Sequence, residues 1–162
     1  MANILPMNYV SVSQLTNEQK QAIMQVWNEV YPAQLAHTTL VSFEKYLQPL
    51  KREQHILVID NTEKIVGWLV TFDRYNDRWF AMLLADRIKG QGVGSELLNQ
   101  VKTINKVLNG WVVEHNDYKR RDGTPYLSPL NFYIKNGFTV LPENRLEDQK
   151  LTVIQVRWEH KK

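Results

Sequence analysis

The segment Lys89-Gly90-Gln91-Gly92-Val93-Gly94 puts glycine at every second position just before an apolar-periodic stretch. Glycine adopts positive φ without steric cost and lets other atoms approach the main chain. The first turn of a helix carries N–H groups with no internal partner and a partial positive charge. Together these features make an anion site suited to a phosphate or pyrophosphate, with the Lys89 ammonium at its edge. A bare strand-to-helix turn needs one glycine, and each further one costs about 0.5–1 kcal/mol against alanine in regular structure. Ligand binding is therefore the better reading. The segment lacks the Gly-Lys-Ser/Thr ending of a P-loop. A dinucleotide fingerprint would need glycine where Ser95 stands, and it belongs after the first strand of a parallel unit. Here the loop follows what reads as an antiparallel meander.

The other residues able to do chemistry are few. There is no cysteine, which removes a thiol nucleophile, a thiolate zinc site and an iron–sulfur cluster. Glu114 and His115 end a short apolar run, and Tyr133 lies in Phe132-Tyr133-Ile134-Lys135-Asn136-Gly137-Phe138. By spacing alone Tyr133 is a core aromatic beside Leu130 and Ile134, and Glu114 or His115 is an ordinary polar residue at a strand end.

The elements that would position these residues follow from periodicity. Tyr9–Leu15 alternates weakly and is expected as a strand. Thr16-Asn17-Glu18-Gln19 has the capping-box pattern, followed by Ile23, Val26, Trp27 and Val30 at helical spacing up to Pro32. A second helix is expected over Thr39–Leu47. Strands are expected at His55–Asp60, Ile65–Phe72 and Trp79–Ala85, with a turn at residues 61–64 and a hairpin connection over Asp73–Arg78. The long stripe Val93, Leu97, Leu98, Val101, Ile104 and Val107/Leu108 predicts a helix closed by Gly110 as its C-terminal cap. Trp111–Glu114 then reads as a strand, Asn116–Tyr126 as a polar loop, and Ser128-Pro129 as the start of a short helix ended by Asn136-Gly137. Phe138–Leu141 and Leu151–Trp158 are the last expected strands. The order is β-α-α-β-β-β-α-β-α-β-β, which requires a crossover and hence a local parallel pair in a mixed sheet.

The 162 residues fit a single domain, 1–162, able to bury its own core. The net charge of +3 is mild for 20 basic and 17 acidic side chains. A nucleic-acid binder would carry a clustered basic face; Lys119-Arg120-Arg121 and the basic tail read as solvated loop and terminus. No stretch approaches the roughly 20 apolar residues of a membrane span, and the N-terminus lacks the pattern of a signal peptide. A cytoplasmic protein with neither nucleic-acid nor membrane partner is expected.

The glycine segment, the Tyr-x-x-x-Gly-Phe pattern of Tyr133–Phe138 and the element order together resemble the GNAT family of N-acetyltransferases. That family's signature is Arg/Gln-x-x-Gly-x-Gly/Ala between its fourth strand and the next helix, and lysine stands here at the arginine/glutamine position. The resemblance implies an α/β (α+β) fold. Its sheet is mixed and mostly antiparallel, with six to seven strands, about four helices and splayed parallel central strands. It implies acetyl-CoA as acyl donor, no metal, and direct transfer to an amine acceptor. The pantetheine arm would pair with Met82, Leu83 and Leu84, and the pyrophosphate would rest on Lys89, Gly90, Gln91, Gly92, Val93, Gly94 and Ser95. Tyr133 would be the leaving-group acid. The base often found on the fourth strand is missing among Phe80, Ala81 and Met82, so Glu114 is taken as the base, with His115 the alternative. Relatives often carry asparagine seven residues before the tyrosine; Tyr126 stands there, and that role is not carried over. The loop Lys119–Tyr126 could reach the 3′-phosphate. Acceptor contacts are sought among Trp27, Tyr31, His37, Phe43, Trp68, Asp73, Tyr75 and Asp77, where aromatics and acids together would suit a cationic amine. Two rival readings remain: a non-catalytic acyl-CoA binder on the same fold, and an interaction module whose glycine loop is only a turn. A homodimer is one assembly the resemblance leaves open.

Overall fold

In the computed structural model, which describes residues 6–161, β1 (Asn8–Val12) leads into α1 (Asn17–Val30). Thr16 caps α1: its hydroxyl accepts from the Gln19 N–H at 3.1 Å while the Gln19 side chain accepts from the Thr16 N–H at 2.9 Å. Ile23, Val26, Trp27 and Val30 form the buried face of α1. Thr39 caps α2 (Leu40–Leu47), which buries Phe43. Next come β2 (Lys51–Ile59), β3 (Ile65–Arg74) and β4 (Asp77–Leu84). The β3–β4 turn is tighter than expected. Tyr75 and Asn76 both hold positive φ, at 52° and 58°, as the mirror-image two-residue hairpin turn requires.

α3 (Val93–Lys102) is shorter than its apolar stripe suggests. Ile104 is 74% exposed, and Val107 already belongs to β5 (Val107–Val112). Gly110 is therefore not a helix cap but a mid-strand residue. An added Cβ there would lie 3.0 Å from Phe80 Cε1, so glycine lets the Phe80 ring cross β5. The helical and strand patterns run together at residues 104–108, and an apolar pair such as Val107-Leu108 satisfies both periods. α4 (Leu130–Lys135), β6 (Thr139–Glu147) and β7 (Thr152–Glu159) complete the chain. Pro129 rather than Ser128 occupies the position before α4, although the Ser128 hydroxyl accepts from the Leu130 N–H at 3.2 Å.

The seven strands form one sheet in the order β1-β2-β3-β4-β5-β7-β6. Every adjacent pair is antiparallel except β4 and β5. That parallel pair meets at a single register position, Trp79 opposite Asn109, and the strands diverge beyond it. Asn109 is fully buried. Its amide N–H donates to the Arg78 carbonyl at 3.0 Å, and its oxygen accepts from Gln155 at 2.7 Å and Arg157 at 3.0 Å. Arg157 also pairs with Asp77 at 2.6 Å. This satisfied polar cluster ties β4, β5 and β7 together at the closed end of a wedge. Among the described residues no helix is long and apolar enough to cross a membrane.

His55 on β2 is 3% exposed and accepts a 3.0 Å hydrogen bond from the Trp68 indole N–H. Burial pushes the imidazole down from 6.5 to about 4. The unfolded chain therefore binds a proton here that the folded chain refuses between pH 6.5 and 4. The stability that His55 contributes is complete above pH 6.5 and is lost as pH falls through that window, by up to about 3 kcal/mol. The carboxylates held low by arginines, Asp60 and Asp73, act only below it. Urea titrations at pH 7 and pH 4.5 are expected to show His55→Gln losing much less stability on acidification than the parent protein. Equal losses would place the acid sensitivity elsewhere, for example at His37, which burial also pushes down.

Candidate active site

The wedge between β4 and β5 opens into a cleft of about 840 Å³. Its far end is the glycine loop. Gly90 and Gly92 hold φ of 78° and 81°, and nothing lies within 4 Å of a Cβ added at either. The requirement there is left-handed backbone with open space in front of it. Gly94 does different work: a Cβ at that point would be 2.8 Å from Phe132 Cζ. Its absence lets α4 pack on the first turn of α3, which brings Tyr133 into the same cleft as the loop.

Gly92 precedes α3 without any side-chain cap, and the first backbone bond closing the helix runs from the Glu96 N–H to the Gly92 carbonyl. Among the described residues the N–H groups from Gly90 through Ser95 donate to no protein acceptor. A helix N-terminus with unpaired donors is the physical requirement for a bound phosphate. Cations gather at the same end. Arg120 pairs with Asp86 at 2.5 Å and Lys89 pairs with the same carboxylate at 3.1 Å. Arg120, foremost, holds the Asp86 carboxyl below the usual range. Arg120 is thus not a solvated loop residue: its side chain is 12% exposed and lines the cleft. The loop end of the cleft thus joins unpaired backbone donors to the Lys89 and Arg120 side chains.

β4 supplies one wall. The Ala85 N–H donates to the Val66 carbonyl on β3, while the Met82 carbonyl accepts from the Tyr31 hydroxyl at 3.0 Å from the opposite side. Backbone groups alternate along a strand. Those of Met82 and Leu84 therefore face the gap, whereas those of Leu83 face β3. Met82, Leu83, Leu84, Lys89, Gly90, Gly92, Val93, Gly94, Ser95 and Tyr133 all line this one cleft. Gln91 does not; its side-chain amide donates to the Arg87 carbonyl at 3.1 Å.

A second cavity, about 200 Å³, lies on the other side of β4's open edge. Tyr31, Met82, Tyr126, Pro129 and Tyr133 line both cavities and form the septum between them. Tyr133 is 5% exposed, stacked edge-on against Phe80 at 5.6 Å and Phe138 at 5.4 Å. Its hydroxyl has no protein hydrogen-bond partner among the described residues. Burial, with Tyr126 adding to it, raises the phenol above its ordinary range. Burial likewise pushes Tyr126 up to about 12. At neutral pH these phenols are protonated donors.

The structure does not bring Glu114 to Tyr133. β5 ends at Val112, the chain turns, and the Glu114 carboxylate is held by Arg145 of β6 at 2.5 Å, outside the walls of both cavities. The strand alternation used to aim Glu114 inward stops two residues too early. His115 is also turned away, accepting from the Asp117 N–H at 3.1 Å. Of the acceptor candidates, Trp27 and Tyr31 line the second cavity. Phe43 and Trp68 are core, Tyr75 is 70% exposed, and His37 is bound to Ser42 at 2.8 Å. Asp73 is tied to Arg78 at 3.0 Å and Asp77 to Arg157. Sequence reasoning missed Arg74, Tyr46 and Trp111 on this wall; no motif marks them.

Gly92→Asp is expected to abolish coenzyme A binding in calorimetry, because a carboxylate would stand in the donor array on an already left-handed residue. Gly92→Ala should cost about 1 kcal/mol of stability through the positive φ alone and keep measurable binding. Unchanged affinity in Gly92→Asp would contradict the assignment of the loop as the phosphate cradle.

Residues 52–140, more than half of the chain, match the family model described as an acetyltransferase (GNAT) domain. No curated protein sequence matches the chain significantly. Solved structures do match in fold. One is provisionally described as a phosphinothricin N-acetyltransferase, with TM-score 0.69 and 15% identity over 97% of this chain and 100% of that one. An aminoglycoside 6′-N-acetyltransferase complexed with coenzyme A gives TM-score 0.68 and 11% identity over 94% and 96%. A spermidine N-acetyltransferase from Vibrio cholerae gives TM-score 0.60 and 13% identity over 94% and 93%. With the splayed β4–β5 pair and the glycine loop between β4 and α3, the matched domain fixes the family: the chain belongs to the GNAT acetyltransferases.

Proposed function

We propose that the protein transfers an acetyl group from acetyl-CoA directly to a primary amine. The observation that carries this reading is the septum. Tyr133 stands between a long cleft ending on unpaired backbone donors and a small aromatic cavity. A thioester laid along the first would present its carbonyl carbon to an amine held in the second. The amine lone pair forms the new C–N bond, the C–S bond breaks, and the thiolate takes a proton. We assign that proton to Tyr133, which lines both cavities and whose phenol is protonated at neutral pH. Met82 and Leu84 offer the backbone edge along which a pantetheine amide would pair as an added strand. The phosphates would take the N–H groups from Gly90 to Ser95, with Lys89 and Arg120 beside them.

The amine must lose a proton, and among the described residues neither cavity wall near Tyr133 supplies His or Glu for the purpose. Loss to water through the cavity mouth fits the walls better than a role for Glu114, whose carboxylate serves Arg145. That same lack of a base favours the second reading, a protein that binds acyl-CoA without turning it over.

Acetyl-CoA incubated with a broad amine panel, read as free thiol, is expected to show acceptor-dependent release. Tight coenzyme A binding without such release supports the binder, and no binding at millimolar ligand removes both readings. Tyr133→Phe should lower kcat by about a hundredfold while leaving coenzyme A affinity within a few-fold. Glu114→Gln should leave kcat near the parent value. Unchanged turnover in Tyr133→Phe would return Tyr133 to the core, and a large loss in Glu114→Gln would restore it as the base.

A further inference from the structure

The small cavity beyond Tyr133 has an unusual charge pattern. Its wall is aromatic and aliphatic, including Trp27, Tyr46, Phe72 and Trp111, and among the described residues it contains no Asp, Glu or His and one charged side chain, Arg74. Arg74 lies at the end of β3, half-buried. Its guanidinium sits 4.8 Å from the Phe72 ring centre and 5.8 Å from that of Trp79. Among the described residues it has no carboxylate partner and no hydrogen bond. The other partly buried arginines, Arg78, Arg120 and Arg157, all have carboxylate partners. The two acids nearest in sequence are already taken, Asp73 by Arg52 and Arg78 and Asp77 by Arg157. A partly desolvated guanidinium without a counter-charge is costly, and it is the side chain best shaped to grip a carboxylate through two parallel bonds.

One further observation points the same way. The Trp111 indole N–H, on the same wall, is a buried donor without an acceptor. The cavity wall thus offers one cation and one buried donor that lack protein partners among the described residues. At about 200 Å³ the cavity also falls below the ~300–1,000 Å³ typical of sites for drug-sized ligands.

We propose that the acceptor is a small amine bearing a carboxylate, an amino-acid-like molecule whose acid group pairs with Arg74 and whose apolar body lies against the aromatic wall. This rests on the acetyl-transfer reading above and names its substrate class. The carboxylate would fix one end of the acceptor and leave the amine to approach the thioester beside Tyr133. A polycationic amine would meet Arg74 and, among the described lining residues, no acid to receive it.

The test compares the common amino acids with their amides and their decarboxylated amines as acceptors, in the parent protein, Arg74→Gln and Arg74→Lys. Free amino acids with apolar or aromatic side chains are expected to be acetylated with higher kcat/KM than their amides. In Arg74→Gln, KM for the acid should rise at least about 30-fold, as for loss of one partner of a desolvated charge pair. kcat should change little, the amides should be unaffected, and Arg74→Lys should recover part of the loss. Preference for amides, amines or spermidine, unchanged by Arg74→Gln, would overturn the proposal while leaving acetyl transfer standing. A binding readout separates the other failure. Calorimetry of N-acetylphenylalanine and its amide with the coenzyme A-loaded protein should show Arg74-dependent binding of the acid alone, whether or not any acceptor turns over. Equal binding of acid and amide, or of parent and Arg74→Gln, would overturn the proposal.

Discussion

The site depends on one broken pairing. β4 and β5 run parallel and meet only where Trp79 faces Asn109. A parallel pair that continued would close the sheet and leave no cleft. Where the strands part, large rings pack beside them: Phe80 crosses Gly110 and packs against Tyr133 and Phe138. They do not part entirely because Asn109 clips the closed end to Arg78, Gln155 and Arg157. A buried polar cluster of this kind is stabilising only when every member is satisfied, and Asn109 is satisfied on both its donor and acceptor sides. The wedge is thus a defined angle rather than a frayed edge.

Everything functional follows from that angle. The open edge of β4 exposes the backbone of Met82 and Leu84, and the crossover through α3 delivers a helix N-terminus to the wide end. Gly94 then admits Phe132, so α4 lies across the start of α3 and Tyr133 reaches the septum. The glycines divide the labour between conformation at Gly90 and Gly92 and close approach at Gly94 and Gly110. The two cavities differ in chemistry: one ends in backbone N–H groups and cations, and the other is a small aromatic chamber whose one charged lining residue, among those described, is Arg74.

Carboxylates are largely withdrawn from this region. Asp60, Asp73, Asp77 and Asp86 are each engaged by arginine, which holds their pKa values low, and Glu114 is engaged by Arg145. These pairs brace strand ends and loops, and no described acid lines the small aromatic cavity. The protonated phenols of Tyr31, Tyr126 and Tyr133 supply the polar groups of the septum instead.

The capping box at Thr16, the β2–β3–β4 meander, the glycine loop and the Tyr133–Phe138 segment were legible because each is a local property. Helical and strand periods, positive-φ glycines and cap side chains report on the main chain within a few residues. Where two periods overlapped, at residues 104–110, the same letters served helix and strand, and Gly110 looked like a cap. Side-chain partnership was not legible at all. Whether Glu114 faces the cleft, whether Asp73 and Asp77 are available, and whether Arg120 is solvated depend on Arg145, Arg78, Arg157 and Asp86, which lie on other strands and loops. The sequence by itself determined the element order and the glycine-rich turn from strand to helix. Only the tertiary structure decided which charges are neutralised and that Arg74 has no carboxylate partner among the described residues, because ion pairing is settled by distances between segments far apart in the chain.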